Sequence, residues 1–219
     1  MRIRTILAAA AVPAALAASL LGATAASAAT NQTPNPGTGT VVITSQDQLN
    51  QLATSGTITK NIDVPAGYNV GWLSGTTVNG NITIEGQMTM NGDTVNGNVT
   101  VSGGGPAGSG SQLWLANNPS HITGNLTITG SAGGPNGNGS NNGTSFGDNA
   151  DEQWGPTPAT QVDGNFSFTN NTGWLYVGAP LHVLHNFTAS GNGPYTWGGA
   201  FNYGGVSAAK TSVAPSYSS

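Results

Sequence analysis

Val78-Asn79-Gly80-Asn81-Ile82-Thr83-Ile84 is a stretch to which the chain keeps returning. It recurs as Val95-Asn96-Gly97-Asn98-Val99-Thr100-Val101, as Ile122-Thr123-Gly124-Asn125-Leu126-Thr127-Ile128 and as Val162-Asp163-Gly164-Asn165-Phe166-Ser167-Phe168. Degenerate copies flank these, Ile58-Thr59-Lys60-Asn61-Ile62-Asp63-Val64 before and Val183-Leu184-His185-Asn186-Phe187-Thr188-Ala189 after. Apolar-polar-apolar alternation after each asparagine marks a strand with one buried face. Gly-Asn ahead of it marks a bend, since both residues tolerate left-handed torsions. The key asparagines, Asn61, Asn81, Asn98, Asn125, Asn165 and Asn186, lie 20, 17, 27, 40 and 21 residues apart. A unit that short cannot bury its own apolar residues, so the copies must stack and share one core.

Between the asparagine motifs lie second apolar segments: Trp72-Leu73, Met88-Thr89-Met90, Leu113-Trp114-Leu115, Trp174-Leu175-Tyr176 and Tyr195-Thr196-Trp197. Each coil therefore carries at least two strands joined by Gly-rich corners. The pattern resembles the right-handed parallel β-helix of the pectate-lyase-like superfold over roughly residues 41–205, a likeness of architecture that matches no specific enzyme family. The resemblance implies an all-β, single-domain solenoid in which the six asparagines stack at one bend and bond to one another and to the bend backbone. An antiparallel β-sandwich is the alternative, and it leaves a fixed asparagine at one bend unexplained. At about 4.8 Å per coil, six coils span roughly 29 Å. Lys60 and His185 stand where the other copies have glycine, so the first and last coils should be irregular.

Around this domain the chain is simpler. Arg2 and Arg4, the Ala-rich run Ile6 to Gly22 and Ala26-Ser27-Ala28 make residues 1–28 a secretory signal peptide, which predicts an extracellular protein. Residues 29–40 read as a flexible leader. Ser45 to Ala53 reads as a short amphipathic helix with Ser45 as cap, Gln48 in a capping box and Gly56 at its end, placed to cover the open end of the stack. Residues 131–160 read as a loop insertion and 206–219 as a flexible tail. With the signal removed, only Lys60 and Lys210 oppose eight acidic residues, which excludes nucleic acid as a partner and leaves no membrane-spanning segment. There is no cysteine, so order rests on packing and hydrogen bonds. Uncovered coil ends would permit self-association.

Candidate chemistry is sparse. Asp148, Asp151 and Glu152 form the densest acidic cluster and could hold Ca²⁺ through oxygen ligands, although the spacing fits no EF-hand and a solvated acidic loop is the preferred reading. A lyase of the resembled fold would need cations for uronate carboxylates, and the mature chain has no arginine. A polysaccharide hydrolase would need paired carboxylates, with Asp151 and Asp163 as the residues to test. His121, His182 and His185 show no metal or triad spacing. Trp72, Trp114, Trp174, Tyr176 and Trp197 make a strip for stacking sugar rings if they face solvent, and core filling if they do not. Thr83, Thr100, Thr127, Ser167 and Thr188, followed two residues on by Glu85, Ser102, Thr129, Thr169 and Ser190, should face solvent on successive coils. That array resembles the ice-binding face of β-solenoid antifreeze proteins. The expected function is a secreted, non-catalytic structural or polysaccharide-binding solenoid whose partner is polysaccharide or cell envelope, with a hydrolase and an ice-binding protein as alternatives and no cofactor beyond possible Ca²⁺.

Overall fold

The computed structural model describes residues 38–103, 111–115, 118–130, 143–146, 160–171, 174–177, 181–192 and 206–213. They form a parallel β-solenoid with three strand faces per coil, numbered here in chain order. The first face holds β2 (Thr57–Ile58), β5 (Thr77–Val78), β8 (Thr94–Val95), β11 (His121–Ile122), β14 (Thr160–Val162) and the start of β17 (Leu181–Ser190). The second holds β3 (Asn61–Val64), β6 (Ile82–Ile84), β9 (Val99–Ser102), β12 (Leu126–Thr129), β15 (Phe166–Thr169) and the rest of β17, with β1 (Thr40–Val42) added to β3. The third holds β4 (Asn69–Ser74), β7 (Gln87–Asn91), β10 (Gln112–Leu115), β13 (Gly143–Phe146) and β16 (Trp174–Val177). Every strand pair among the described residues is parallel, which removes the antiparallel sandwich.

The core is the sum of the inward columns. Ile62, Ile82, Val99, Leu126, Phe166 and Phe187 lie one above the next, all buried, and so do Ile58, Val78, Val95, Ile122, Val162 and Val183. Towards the later coils aromatic rings replace aliphatics, and Phe166 stacks on Phe187 at 4.9 Å between centroids. Since each coil lends its apolar face only to its neighbours, stability is spread along the stack.

The six asparagines form a single file at the corner between the first and second faces. Asn61 Oδ1 accepts from the Asn81 backbone N–H at 2.8 Å, and Asn81 Oδ1 accepts from both the backbone N–H and side-chain Nδ2 of Asn98. The same pair of bonds repeats from Asn125 to Asn98, from Asn165 to Asn125 and from Asn186 to Asn165. Glycine precedes the asparagine because coils touch there: a Cβ on Gly164 would lie 2.5 Å from the Gly124 carbonyl oxygen. At His185 a side chain is present and the bend is lost. β17 instead runs extended through the corner and bulges against its neighbour between Val183 and Asn186. That single straightened strand joins the first and second faces into one sheet of 13 strands.

The helix α1 (Gln46–Ala53) caps the first coils. Ser45 Oγ accepts from the Gln48 N–H, while the Gln48 side chain reaches back to the N–H of Thr44, one residue before the cap. Leu49 is buried and Leu52 and Ala53 pack on the core. At the other end the expected flexible tail is corrected. Val206–Val213 form β18, parallel to β17, with Val206 and Ala208 against the core. The last coil offers a row of unpaired backbone groups, and a strand with small alternating side chains satisfies them. The loop insertion is corrected in part. No extra coil is inserted, since β12 pairs directly with β15, but Gly143–Phe146 within it is strand β13 between β10 and β16. The signal peptide and most of the leader lie outside the described residues.

Candidate functional site

The third face carries the exposed aromatics. On β10, Leu113 and Leu115 are buried and Trp114 between them is half-buried on the outer side. The register aligns Trp114 with Thr89 and Thr89 with Trp72, which is 49 % exposed. Both tryptophans therefore stand on the outer surface, and Leu73, Met90 and Leu115 fill the adjoining core. They are two strand steps apart along the stack, roughly 10 Å. β16 aligns Tyr176 with Ser145 of β13, one step beyond Trp114, and Trp174 with Gly143. The side chains of Trp174 and Tyr176, and all of Trp197, lie outside the described residues.

The setting of Trp72 is built by three elements. The register of β4 shifts between Asn69 and Trp72, with Gly71 at φ +73° inside the irregularity. The Gln46 amide of α1 then takes the place of a missing neighbouring strand. Its Oε1 accepts from the Trp72 N–H at 2.6 Å and its Nε2 donates to the Trp72 carbonyl at 2.9 Å. The positive φ favours glycine at position 71, and a Cβ there would push the Gln46 amide away from Trp72. Beside the tryptophan column, Asn69 Nδ2 donates to Gln87 Oε1 at 3.1 Å. This anchoring of Trp72 by a helix residue 26 positions earlier has no signature in the repeat.

The second face presents the hydroxyl columns. Thr83, Thr100, Thr127, Ser167 and Thr188 are in register, with Asp63 before them and Ser212 after. Ser102, Thr129, Thr169 and Ser190 align beside them, and Thr169 donates to Thr129 at 3.3 Å.

Among the described residues ionisable groups are few, and the side chains of His121, Asp163, His182 and Asp93 are engaged. On the first face His121 Nε2 lies 2.9 Å from Asp163 Oδ2, and Gln161 Nε2 donates to the other carboxylate oxygen. Both oxygens of a carboxylate that a hydrolase would use thus have partners. The 42-residue separation hid this pair; aligning Ile122 with Val162 would have found it, because His121 precedes one and Asp163 follows the other. His182 Nδ1 meets Ser207 Oγ at 3.0 Å.

Asp93 lies buried at the corner between the third and first faces, in a column with Thr76, Ser120 and Thr160. Its carboxylate accepts from the backbone N–H groups of Thr76 and Asn91, each at 2.8 Å. Its own N–H donates to Ser120 Oγ, and the Ser120 N–H to Thr160 Oγ1. Burial pushes its pKa up to about 6, against the lowering effect of the two N–H donors. Asp148, Asp151 and Glu152, the expected Ca²⁺ cluster, lie outside the described residues. Among the described residues no three His, Cys, Asp or Glu side chains gather to hold a metal.

Comparison with family models, curated proteins and solved structures finds no match to this chain.

Proposed function

We propose that this chain is a secreted, non-catalytic β-solenoid that binds polysaccharide of an envelope or of the surroundings through its third face. The observation that carries this reading is the outward placement of Trp72 and Trp114 in one register column, with Thr89 between them. Two flat apolar faces on a rigid sheet suit the apolar faces of sugar rings, and exposed tryptophan is otherwise costly to leave in water. Export rests on the basic, apolar and small-residue pattern of residues 1–28. The test is retention of the full chain on insoluble polysaccharides. Binding to at least one, reduced by Trp72→Ala with an unchanged circular dichroism spectrum, supports the reading; no retention on any overturns it.

A second reading has its own observation, the in-register hydroxyls of the second face. Ice binding through Thr83, Thr100 and Thr127 predicts thermal hysteresis that Thr127→Tyr abolishes. Asp63 begins the column and Ser167 interrupts its threonines, which ranks this reading behind the first.

A further inference from the structure

We infer that the glycan held by the third face is an uncharged β-1,4-linked chain lying along the solenoid axis, across the strands, with alternate sugar rings on Trp72 and Trp114. The inference rests on the polysaccharide-binding reading and adds the class and direction of the ligand.

Three features select this class. The first is spacing. Successive strands along the axis step by about 4.8 Å, so the two tryptophans are separated by two steps with Thr89 at the intermediate one. An equatorially linked β-1,4 chain is a flat ribbon in which each ring advances by close to one such step, so every second ring repeats in phase with the indoles. An α-1,4 chain curls, and its rings leave the plane before the second tryptophan is reached. The second feature is charge. The described strands of the third face carry no Lys, Arg, Asp or Glu. A polyuronate would bring a row of carboxylates with no cation to meet them. The third is polar edging. The Asn69–Gln87 amide pair stands beside the tryptophan column, where it can meet the equatorial hydroxyls at the ribbon's edge.

Gln46 is the positioning residue. By holding both backbone polar groups of Trp72 it fixes the indole's base before the ligand arrives, which lowers the ordering cost of binding.

The test measures binding of the full chain to soluble hexasaccharides by calorimetry. Cello- or chitohexaose should bind, and their disaccharides at least about tenfold more weakly, because one disaccharide cannot reach both rings. Trp72→Ala and Trp114→Ala should each weaken hexasaccharide binding by about tenfold, the usual scale for truncating an aromatic anchor, while Trp72→Phe retains most of it. Gln46→Leu should weaken it too, with the Trp72 fluorescence contribution shifted and the far-ultraviolet spectrum unchanged. Equal or tighter binding of maltohexaose or oligogalacturonate would overturn the ligand class while leaving a polysaccharide-binding protein. Absence of binding to every glycan, soluble or insoluble, would remove both.

Discussion

Asn125→Ala is the sharpest probe of what holds the coils in register. Asn125 Oδ1 accepts from the Asn165 backbone N–H at 2.8 Å and from Asn165 Nδ2 at 3.1 Å, while Asn125 donates its own Nδ2 to Asn98 at 3.3 Å. Alanine deletes all three bonds. A typical intramolecular hydrogen bond contributes about 1 kcal/mol net. The site is open to water, which can partly replace the lost acceptor, so the loss should be about 2–3 kcal/mol. Asn186 is the internal control. It ends the file, donating to Asn165 at 3.2 Å and 3.0 Å, and its alanine variant removes the shorter bond while keeping the backbone one. Asn186→Ala should therefore cost only about 1 kcal/mol. Urea unfolding followed by circular dichroism gives both values, provided the slope of the transition is unchanged. Equal costs for the two variants, or less than about 0.5 kcal/mol for Asn125→Ala, would refute the idea that the amide file is energetically coupled from coil to coil. Asn125→Asp adds a check on the mechanism: it keeps the acceptor but sets a carboxylate against Asn98 Oδ1, so it should destabilise at neutral pH and recover on acidification.

Asp93 makes stability depend on pH in the unusual direction. Its folded pKa of about 6 lies above the ordinary 3.8, so the folded state binds the proton more readily. Its contribution is most favourable below the unfolded value and is lost as pH rises through about 6, a total of about 3 kcal/mol for a shift of this size. Asp93→Thr, which installs a hydroxyl like those elsewhere in the same column, should remove that slope; unfolding curves of the two proteins that run parallel between about pH 3.5 and 7 would contradict it. Asn170 has φ +56° where the aligned positions carry Gly130 and Gly191, both at +64°. Asn170→Gly should be nearly neutral and Asn170→Val should destabilise by about 1–2 kcal/mol, read as a shift of the urea midpoint.

The asparagine file was legible because its cause is local and repeated. The four regular copies bend at the same point, the bend sets a residue without Cβ against the coil beneath, and the next position offers a side-chain acceptor to the following coil. The second amide stack was not legible. Asn171 and Asn192 are buried, joined through Asn192 Oδ1, and their side chains donate to the carbonyls of Ile128 and Phe168. They stand six residues after Asn165 and Asn186, but the same position of the earlier copies holds Gln87, Gly104 and Ser131, so the repeat as a whole does not announce them.

Inward and outward positions on the second face followed from strict alternation, and Thr127 between Leu126 and Ile128 could face only outward. The tail was harder to read, since Val206-Ser207-Ala208-Ala209-Lys210 has too little apolar character to declare a strand alone. It becomes one because β17 presents a free edge. Gly143–Phe146 likewise gains its conformation from the strands on either side. A period in the residues was thus enough to establish stacking and the direction in which the repeated side chains face, because those are consequences of burying one side of every coil. Which tryptophan stands in solvent, which residue of the cap holds it and what pairs with the last edge depend on contacts between segments of unequal length, and only the assembled coils bring those together.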